Sequence, residues 1–174
     1  QTTLARIRRA TTEMQTNVNA LLTLARKATK PPASAQSISI ASAIYQTIED
    51  LSINFPVDSR LIFKAHTPVE AHADPALVQM LLRNLLQNAL QHTSGKIHIE
   101  LDENTLEIRD EGPGLTEQAR ALLTSAGPAR TPKAVTSGLG LYLVTLIAER
   151  LNWPLELAQP EGKGTLIRLH INHR

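Results

Sequence analysis

Apolar residues recur at alternating spacings of three and four through the first part of the chain, at Leu4, Ile7, Thr11, Met14, Val18, Leu21 and Ala25. This is the a/d seam of a coiled coil, with Thr11 as its polar member, and it predicts one long helix over residues 2–29. Such a helix pairs with other helices, here across a dimer. The plainer alternative is an amphipathic helix lying on the domain's own core. Lys30-Pro31-Pro32 ends the helix, because proline lacks an amide and clashes with the preceding turn. Residues 31–37 are small, polar and proline-containing, and read as a linker.

The pattern then changes. Ile40–Leu51 reads as a short amphipathic helix. Alternation over Arg60–His66 predicts a strand, and Val69–His72 a second short one. From Asp74 to Thr93 the chain predicts its central helix. Asp74 suits the N-cap, where a carboxylate accepts from free first-turn amides, and Pro75 suits the first helical position. Val78, Leu82, Leu85, Leu86, Ala89 and Leu90 continue one apolar face, while Asn84, Gln87, Asn88, Gln91 and His92 gather on the other. Asn is a mediocre helix former, so this stripe needs a reason. It is either a solvated face or a set of neutral oxygen ligands for a metal or polar ligand.

Lys96–Asp102 and Thr105–Asp110 predict strands joined by the short turn Glu103-Asn104, an antiparallel hairpin. Residues 111–137 carry Gly112, Pro113, Gly114, Gly127, Pro128 and Pro132, with a brief helical stretch near Thr116–Leu123. A loop of this length is a functional lid or a disordered segment, with the lid proper at about 115–137. Gly138–Leu151 predicts a helix opening on a glycine pair. Trp153–Gln159 and Gly164–Ile171 predict a second hairpin turning through Pro160-Glu161-Gly162-Lys163. The order predicts an α+β fold. It is a two-layer α/β sandwich with a mixed, mainly antiparallel sheet and helices on one face, preceded by one long coiled-coil-type helix. The domain plan is residues 1–30 for that helix, 31–37 for the linker and 38–174 for the sandwich.

Composition narrows the function. Hydrophobic residues make up 42%, enough for a core, but aromatics only 3%, too few for a base-stacking surface. The net charge of +2 is spread along the chain, so no nucleic-acid footprint is expected. Cysteine is absent, which excludes disulfides and cysteine zinc sites. The longest apolar run, Leu139 to Ala148, is too short to span a bilayer, and no direct membrane contact is expected of this stretch. The first residue is Gln1 rather than Met, which suggests a piece of a longer protein.

Three features carry chemistry: the Asn84/Asn88 stripe, Asp110-Glu111-Gly112-Pro113-Gly114 after a strand, and Gly138-Leu139-Gly140-Leu141 opening a helix. Singly, the second is ordinary turn chemistry and the third a weak anion-binding signal. In this order and spacing they resemble the ATP-binding domain of sensor histidine kinases, in the superfamily that includes gyrase, MutL and the heat-shock ATPase. The resemblance covers about residues 70–172. It rests on Asn84-Leu85-Leu86-Gln87-Asn88-Ala89-Leu90-Gln91-His92-Thr93, the two glycine motifs and Gly162-Lys163-Gly164-Thr165. Residues 4–26, ending Leu21-Leu22-x-Leu24-Ala25-Arg26, resemble the second helix of that family's dimerisation hairpin.

The resemblance implies ATP and Mg²⁺ as cofactors. It assigns nucleotide binding to Asn84, Asn88, Gln91, His92, Asp110, Gly112, Gly114, Arg130, Lys133, Gly138, Leu139, Gly140, Leu141 and Thr165, with Asn88 as the metal ligand. Asp110 would accept from the adenine 6-amino group, Gly138 and Gly140 would offer amides to phosphates, and Arg130 and Lys133 would reach the γ-phosphate. No residue is assigned as a catalytic acid or base. Hydrolase cousins carry Glu four residues before the metal-binding Asn. Asn84 stands there and cannot take a proton from water, so slow ATP hydrolysis is expected. The resemblance also implies a response regulator receiver domain as partner and a homodimer through the N-terminal helix. It further implies a place in the cytoplasmic domain of a bacterial inner-membrane protein.

Departures from the pattern matter. The six histidines are His66, His72, His92, His98, His170 and His173, and none lies before residue 30 in a phosphoacceptor context, so self-phosphorylation is not expected. Gln91 replaces a basic residue, and Ala121-Leu122-Leu123 replaces a phenylalanine-rich lid motif, so lid closure is expected to be loose. Two rivals stand beside the main reading: an anti-sigma-type protein Ser/Thr kinase of the same fold, and a degenerate module that only dimerises and docks.

Overall fold

Period-two alternation gives strands with one buried face, and the sheet follows from it. The computed structural model describes residues 18, 35–55, 57, 59–117, 120, 139–158 and 163–172. The chain falls into two compact units, Gln1–Ala33 and Ser34–Arg174. In the first, only Val18 is described; it is helical and exposed. The rest of the expected coiled-coil seam, and the start of the expected linker, lie outside the described residues.

In the second unit, a five-stranded sheet is built from β2 (Leu61–Ala65), β4 (Ile97–Asp102), β5 (Thr105–Asp110), β7 (Thr165–His170) and β6 (Leu155–Ala158), in the order β2-β4-β5-β7-β6. β2 runs parallel to β4, and the other neighbours are antiparallel. The β4–β5 and β6–β7 hairpins are those expected. A separate antiparallel pair joins β1 (Gln36–Ser39) to β3 (Glu70–Ala73). Gln36 and Ser37 were expected in the linker. A serine-rich stretch looks like a tether until its backbone finds a partner, and here Ser37 and Ile38 pair with His72 and Ala71.

Among the described residues, the helices α1 (Ile40–Ser52), α2 (Pro75–His92) and α3 (Leu139–Leu151) cover one face of the sheet. The α+β expectation is therefore met. The facing rows are Ile97, Ile99 and Leu101, then Leu106 and Ile108, then Ile167 and Leu169, all buried. The opposite face is polar. There Arg168 bridges Glu107 at 2.6 Å and Glu156 at 3.2 Å. The hydrogen bond that Arg168 donates to Glu107, then the Glu107 charge, hold the guanidinium above its usual pKa. Among the described residues no helix is long and apolar enough to cross a membrane.

The helices begin where their caps dictate. Ser39 caps α1 by accepting from Ser42 N at 3.4 Å. Ile40, Ile44, Thr47 and Leu51 then form the buried stripe, and Tyr45 meets Phe63 of β2 edge-on with ring centroids 5.0 Å apart. Asp74 caps α2 by accepting from Ala76 N at 2.9 Å, with Pro75 at the first position, as its sequence predicts. α2 is the central helix, packed between α1 and α3. It buries Leu77, Leu81, Leu82, Leu85, Leu86 and Leu90, each contributing about 1.5–3 kcal/mol. That burial easily outweighs the poor propensity of two asparagines, at most about 0.7 kcal/mol each.

Candidate functional site

The site forms where the ends of β5, β7 and α2 meet. Residues 106, 108 and 110 share the helix-covered face of β5, so Asp110 carries a carboxylate onto that face at the strand's end. It stands opposite Thr165 across the β5–β7 ladder, and Thr165 is buried. Asp110 Oδ1 accepts from Gly112 N at 2.7 Å, closing a turn. Its second oxygen has no protein partner among the described residues.

Crowding explains the glycines. A Cβ on Gly112 would stand 2.7 Å from Asp110 Oδ1, 3.1 Å from Thr93 Cβ and 3.2 Å from the His92 carbonyl oxygen. The end of α2 therefore presses directly on the turn after Asp110. Gly164 is more constrained still: its φ is +119°, and a Cβ there would lie 2.0 Å from the Asp110 carbonyl oxygen. Gly114, with φ +84°, packs against the Gly164 carbonyl. The first glycine motif and Gly164-Thr165, some fifty residues apart by sequence number, thus interlock.

A second focus lies further back along α2. Asn84 is buried at 8% exposure, its Nδ2 donating to the Met80 carbonyl at 2.8 Å. That fixes the amide, and Oδ1 faces Gly140, 3.5 Å from where a Cβ on that glycine would stand. The larger part of the polar stripe is therefore not a simple solvated face: Asn88 and Gln91 are half-buried, and His92 is exposed. Gly140 belongs to the first turn of α3, where unpaired amides favour anions. Leu139 opens that helix and Leu141 is buried in it. Asn84 and Thr93 are separated by roughly 13 Å along α2, from 1.5 Å per residue.

Gly138, Arg130 and Lys133 lie outside the described residues, as do Gly162 and most of the expected lid. Residues 117 and 120 are helical, with Arg120 N donating to the Thr116 carbonyl at 2.9 Å. Sequence reasoning left Thr93, Gly164 and Arg60 out of the assigned site. Thr93 and Gly164 carried a signal, each being a member of a quoted motif. Arg60 carried none.

Among the described residues a carboxylate beside Gly112 thus faces the end of an asparagine-bearing helix, and Gly140 lies over that helix at Asn84. A family model described as histidine kinase-, DNA gyrase B-, and HSP90-like ATPase matches residues 73–174. The chain belongs to this family.

Membership in these histidine kinase-, gyrase- and HSP90-like ATPases implies ATP binding. The chain is 32% identical over 126 residues to sensor protein QseC of Escherichia coli (strain K12), covering 70% of this chain and 26% of that protein. It is 31% identical over 125 residues to sensor protein kinase GraS of Staphylococcus aureus (strain JH1), covering 67% and 34%. The chain thus spans between a quarter and about a third of these relatives. Among solved structures, the cytoplasmic segment of histidine kinase QseC matches with a TM-score of 0.66 at 19% identity, over 93% of this chain and 95% of that one. The histidine kinase domain of the E. coli osmosensor EnvZ matches with a TM-score of 0.61 at 20% identity, over 83% and 91%. These structural matches show a shared fold. The sensor-kinase names of the relatives favour that branch of the family over the Ser/Thr-kinase and degenerate-module rivals.

Proposed function

We propose that this chain is the ATP- and Mg²⁺-binding part of a sensor histidine kinase, acting in a phosphorelay to a response regulator aspartate. The observation that carries the reading is Asp110. One oxygen is spent on the Gly112 amide, and the other is free to take the adenine amino group inside a wall of Gly112, Thr93 and Thr165. A carboxylate is acceptor-only, so it favours the amino edge of adenine over the carbonyl of guanine. Gly112 and Gly114 give the base room. Asn84 and the amides at the start of α3, with Gly138 and Gly140, would meet the phosphates. Gln91 and His92 would line the site between, and Arg130 and Lys133 would approach from the lid.

The donor set also suits Mg²⁺. Among the described residues no group of three His, Asp or Glu side chains is arranged to hold a metal. Magnesium needs no such cage, taking one or two protein oxygens and drawing the rest from phosphates and water. Asn88, half-buried one turn after Asn84, would supply an amide oxygen. Bound ATP would supply the phosphoryl group to a histidine in the dimerisation region, with ADP leaving. No carboxylate stands at position 84 to activate water, so the phosphoryl group would be kept for that better nucleophile. The receiver domain, the homodimer through residues 1–30 and a cytoplasmic place in a bacterial membrane sensor belong to the same reading.

Titration of the chain with ATP and AMP, with and without Mg²⁺, tests it. The unaltered chain binds ATP more tightly with Mg²⁺ present. Asn88→Ala removes most of that Mg²⁺-dependent gain, about tenfold for the loss of one strong ligand contact, and leaves AMP affinity unchanged. Absence of nucleotide binding would favour the degenerate docking module instead.

A further inference from the structure

The helix that floors the site is held at its C-terminal end by a residue from another element. A helix leaves its last carbonyls unpaired and carries about half a negative charge there. In the last turn of α2 the basic residue is His92, which is exposed. The guanidinium of Arg60, just before β2, supplies what is missing. Its Nη2 donates to the Leu90 carbonyl at 3.4 Å and to the Thr93 carbonyl, and its Nε donates to the Gly95 carbonyl at 3.3 Å. Three carbonyls, one in the last turn, one at the C-cap and one in the loop beyond, are gathered by one planar fork, a task that suits arginine and not lysine.

Arg60 is itself fixed. Its amide donates to the Val57 carbonyl at 3.0 Å, and its carbonyl accepts from Ile97 N at 2.7 Å, locking it to the start of β4. The residues it ties are those that wall the turn after Asp110. Thr93 is buried, its Oγ1 accepts from Gly95 N at 3.0 Å, and its Cβ and the His92 carbonyl are the groups pressed on Gly112. Gly112 in turn donates to Asp110. A continuous chain of contacts runs from Arg60 through Thr93 and Gly112 to the Asp110 carboxylate.

We propose that Arg60 is a positioning residue for the purine end of the nucleotide site, setting the carboxylate of Asp110 through the Thr93 carbonyl and Gly112. This rests on the nucleotide reading above. Arg60 touches no nucleotide in this assignment, and its effect is confined to the base end, because Asn84, which faces Gly140 of α3, lies about two and a half turns back along α2.

The test compares the whole chain with Arg60→Gln and Arg60→Lys. Affinities for ATP and AMP are measured by calorimetry, and backbone amide shifts by NMR without nucleotide. Arg60→Gln weakens AMP and ATP by the same factor, about tenfold, from the loss of charge-assisted hydrogen bonds. The ratio of ATP to AMP affinity stays constant. Arg60→Lys recovers part of the loss, since one ammonium reaches the Thr93 carbonyl but cannot span all three. In both variants the Gly112 amide resonance moves while that of Gly140 does not. The inference is overturned if AMP affinity is unchanged in Arg60→Gln, if only the phosphate-dependent part of ATP binding falls, or if the Gly112 and Gly140 resonances shift alike. If Arg60→Gln does not fold, Arg60→Lys carries the same comparisons. Failure of the unaltered chain to bind either nucleotide overturns the nucleotide reading, whereas normal binding by Arg60→Gln overturns this inference alone.

Discussion

Asp110→Asn weakens ATP binding by about 10- to 100-fold, the range expected for losing a hydrogen bond to a charged acceptor and facing two donors at each other. The substitution is chosen because it keeps what the structure needs. Asparagine retains an oxygen to accept from Gly112 N, the 2.7 Å bond that closes the turn. What changes is the second position, where a donor –NH₂ replaces an acceptor oxygen. The adenine amino group would then meet another donor, while the carbonyl of guanine would meet a partner. The preference for ATP over GTP shrinks accordingly, and the melting temperature of the free chain changes little. Parallel titrations with the two nucleotides read both effects. Undiminished ATP affinity with intact selectivity would mean that the base lies elsewhere.

Gly164→Ala has the largest expected effect on stability. The position combines two penalties that usually occur apart. Its φ of +119° belongs to a region that residues with a Cβ rarely enter, about 1–3 kcal/mol on its own. The added methyl would also stand 2.0 Å from the Asp110 carbonyl oxygen, a backbone atom held in the β5–β7 ladder. No rotamer change relieves such a contact, so the two strands must separate at the site. Destabilisation of about 3 kcal/mol or more follows, lowering the melting temperature by roughly 6–12 °C or more for a domain of this size. Nucleotide binding falls with it, because Asp110 is displaced. Thermal and urea denaturation measure the first effect. A melting temperature within two degrees or so of the unaltered chain would show that the late glycine is not constrained as described. Gly114→Ala makes a useful contrast. It shares a positive φ of +84°, but its nearest contact, the Gly164 carbonyl oxygen at 3.2 Å, needs a shift of only a few tenths of an ångström, so the steric part of the penalty is much smaller.

Most element boundaries were readable because they are written locally. Alternation located β4 and β5 to within a residue, the Asp74-Pro75 pair started α2, and the short Glu103-Asn104 turn implied the hairpin. The candidate site was readable as motifs in order, and the structure brings Asp110, Gly112, Gly114 and Thr165 together, and Asn84 beside Gly140. Three things were not readable. The strand Gln36–Ser39 hid in a serine-rich stretch whose pairing partner lies more than thirty residues on. The burial of Asn84 was not legible even though its motif was, because periodicity reports a helix face and not what another helix later covers. Arg60 looked like the polar start of a strand, because its three acceptors lie thirty or more residues away.

By itself the sequence determined the strands of the main sheet, the helices that cover it, their order, the two-layer class and the motifs of the site. Each depends on side-chain period, capping or turn chemistry acting within a few residues. Only the tertiary structure decided the parallel pairing of β2 with β4, the insertion of β7 between β5 and β6, the burial of Asn84, and the tie from Arg60 to the end of α2. Those depend on which surfaces meet once distant elements pack, and burial is a property of the assembled layers that no single stretch of chain carries.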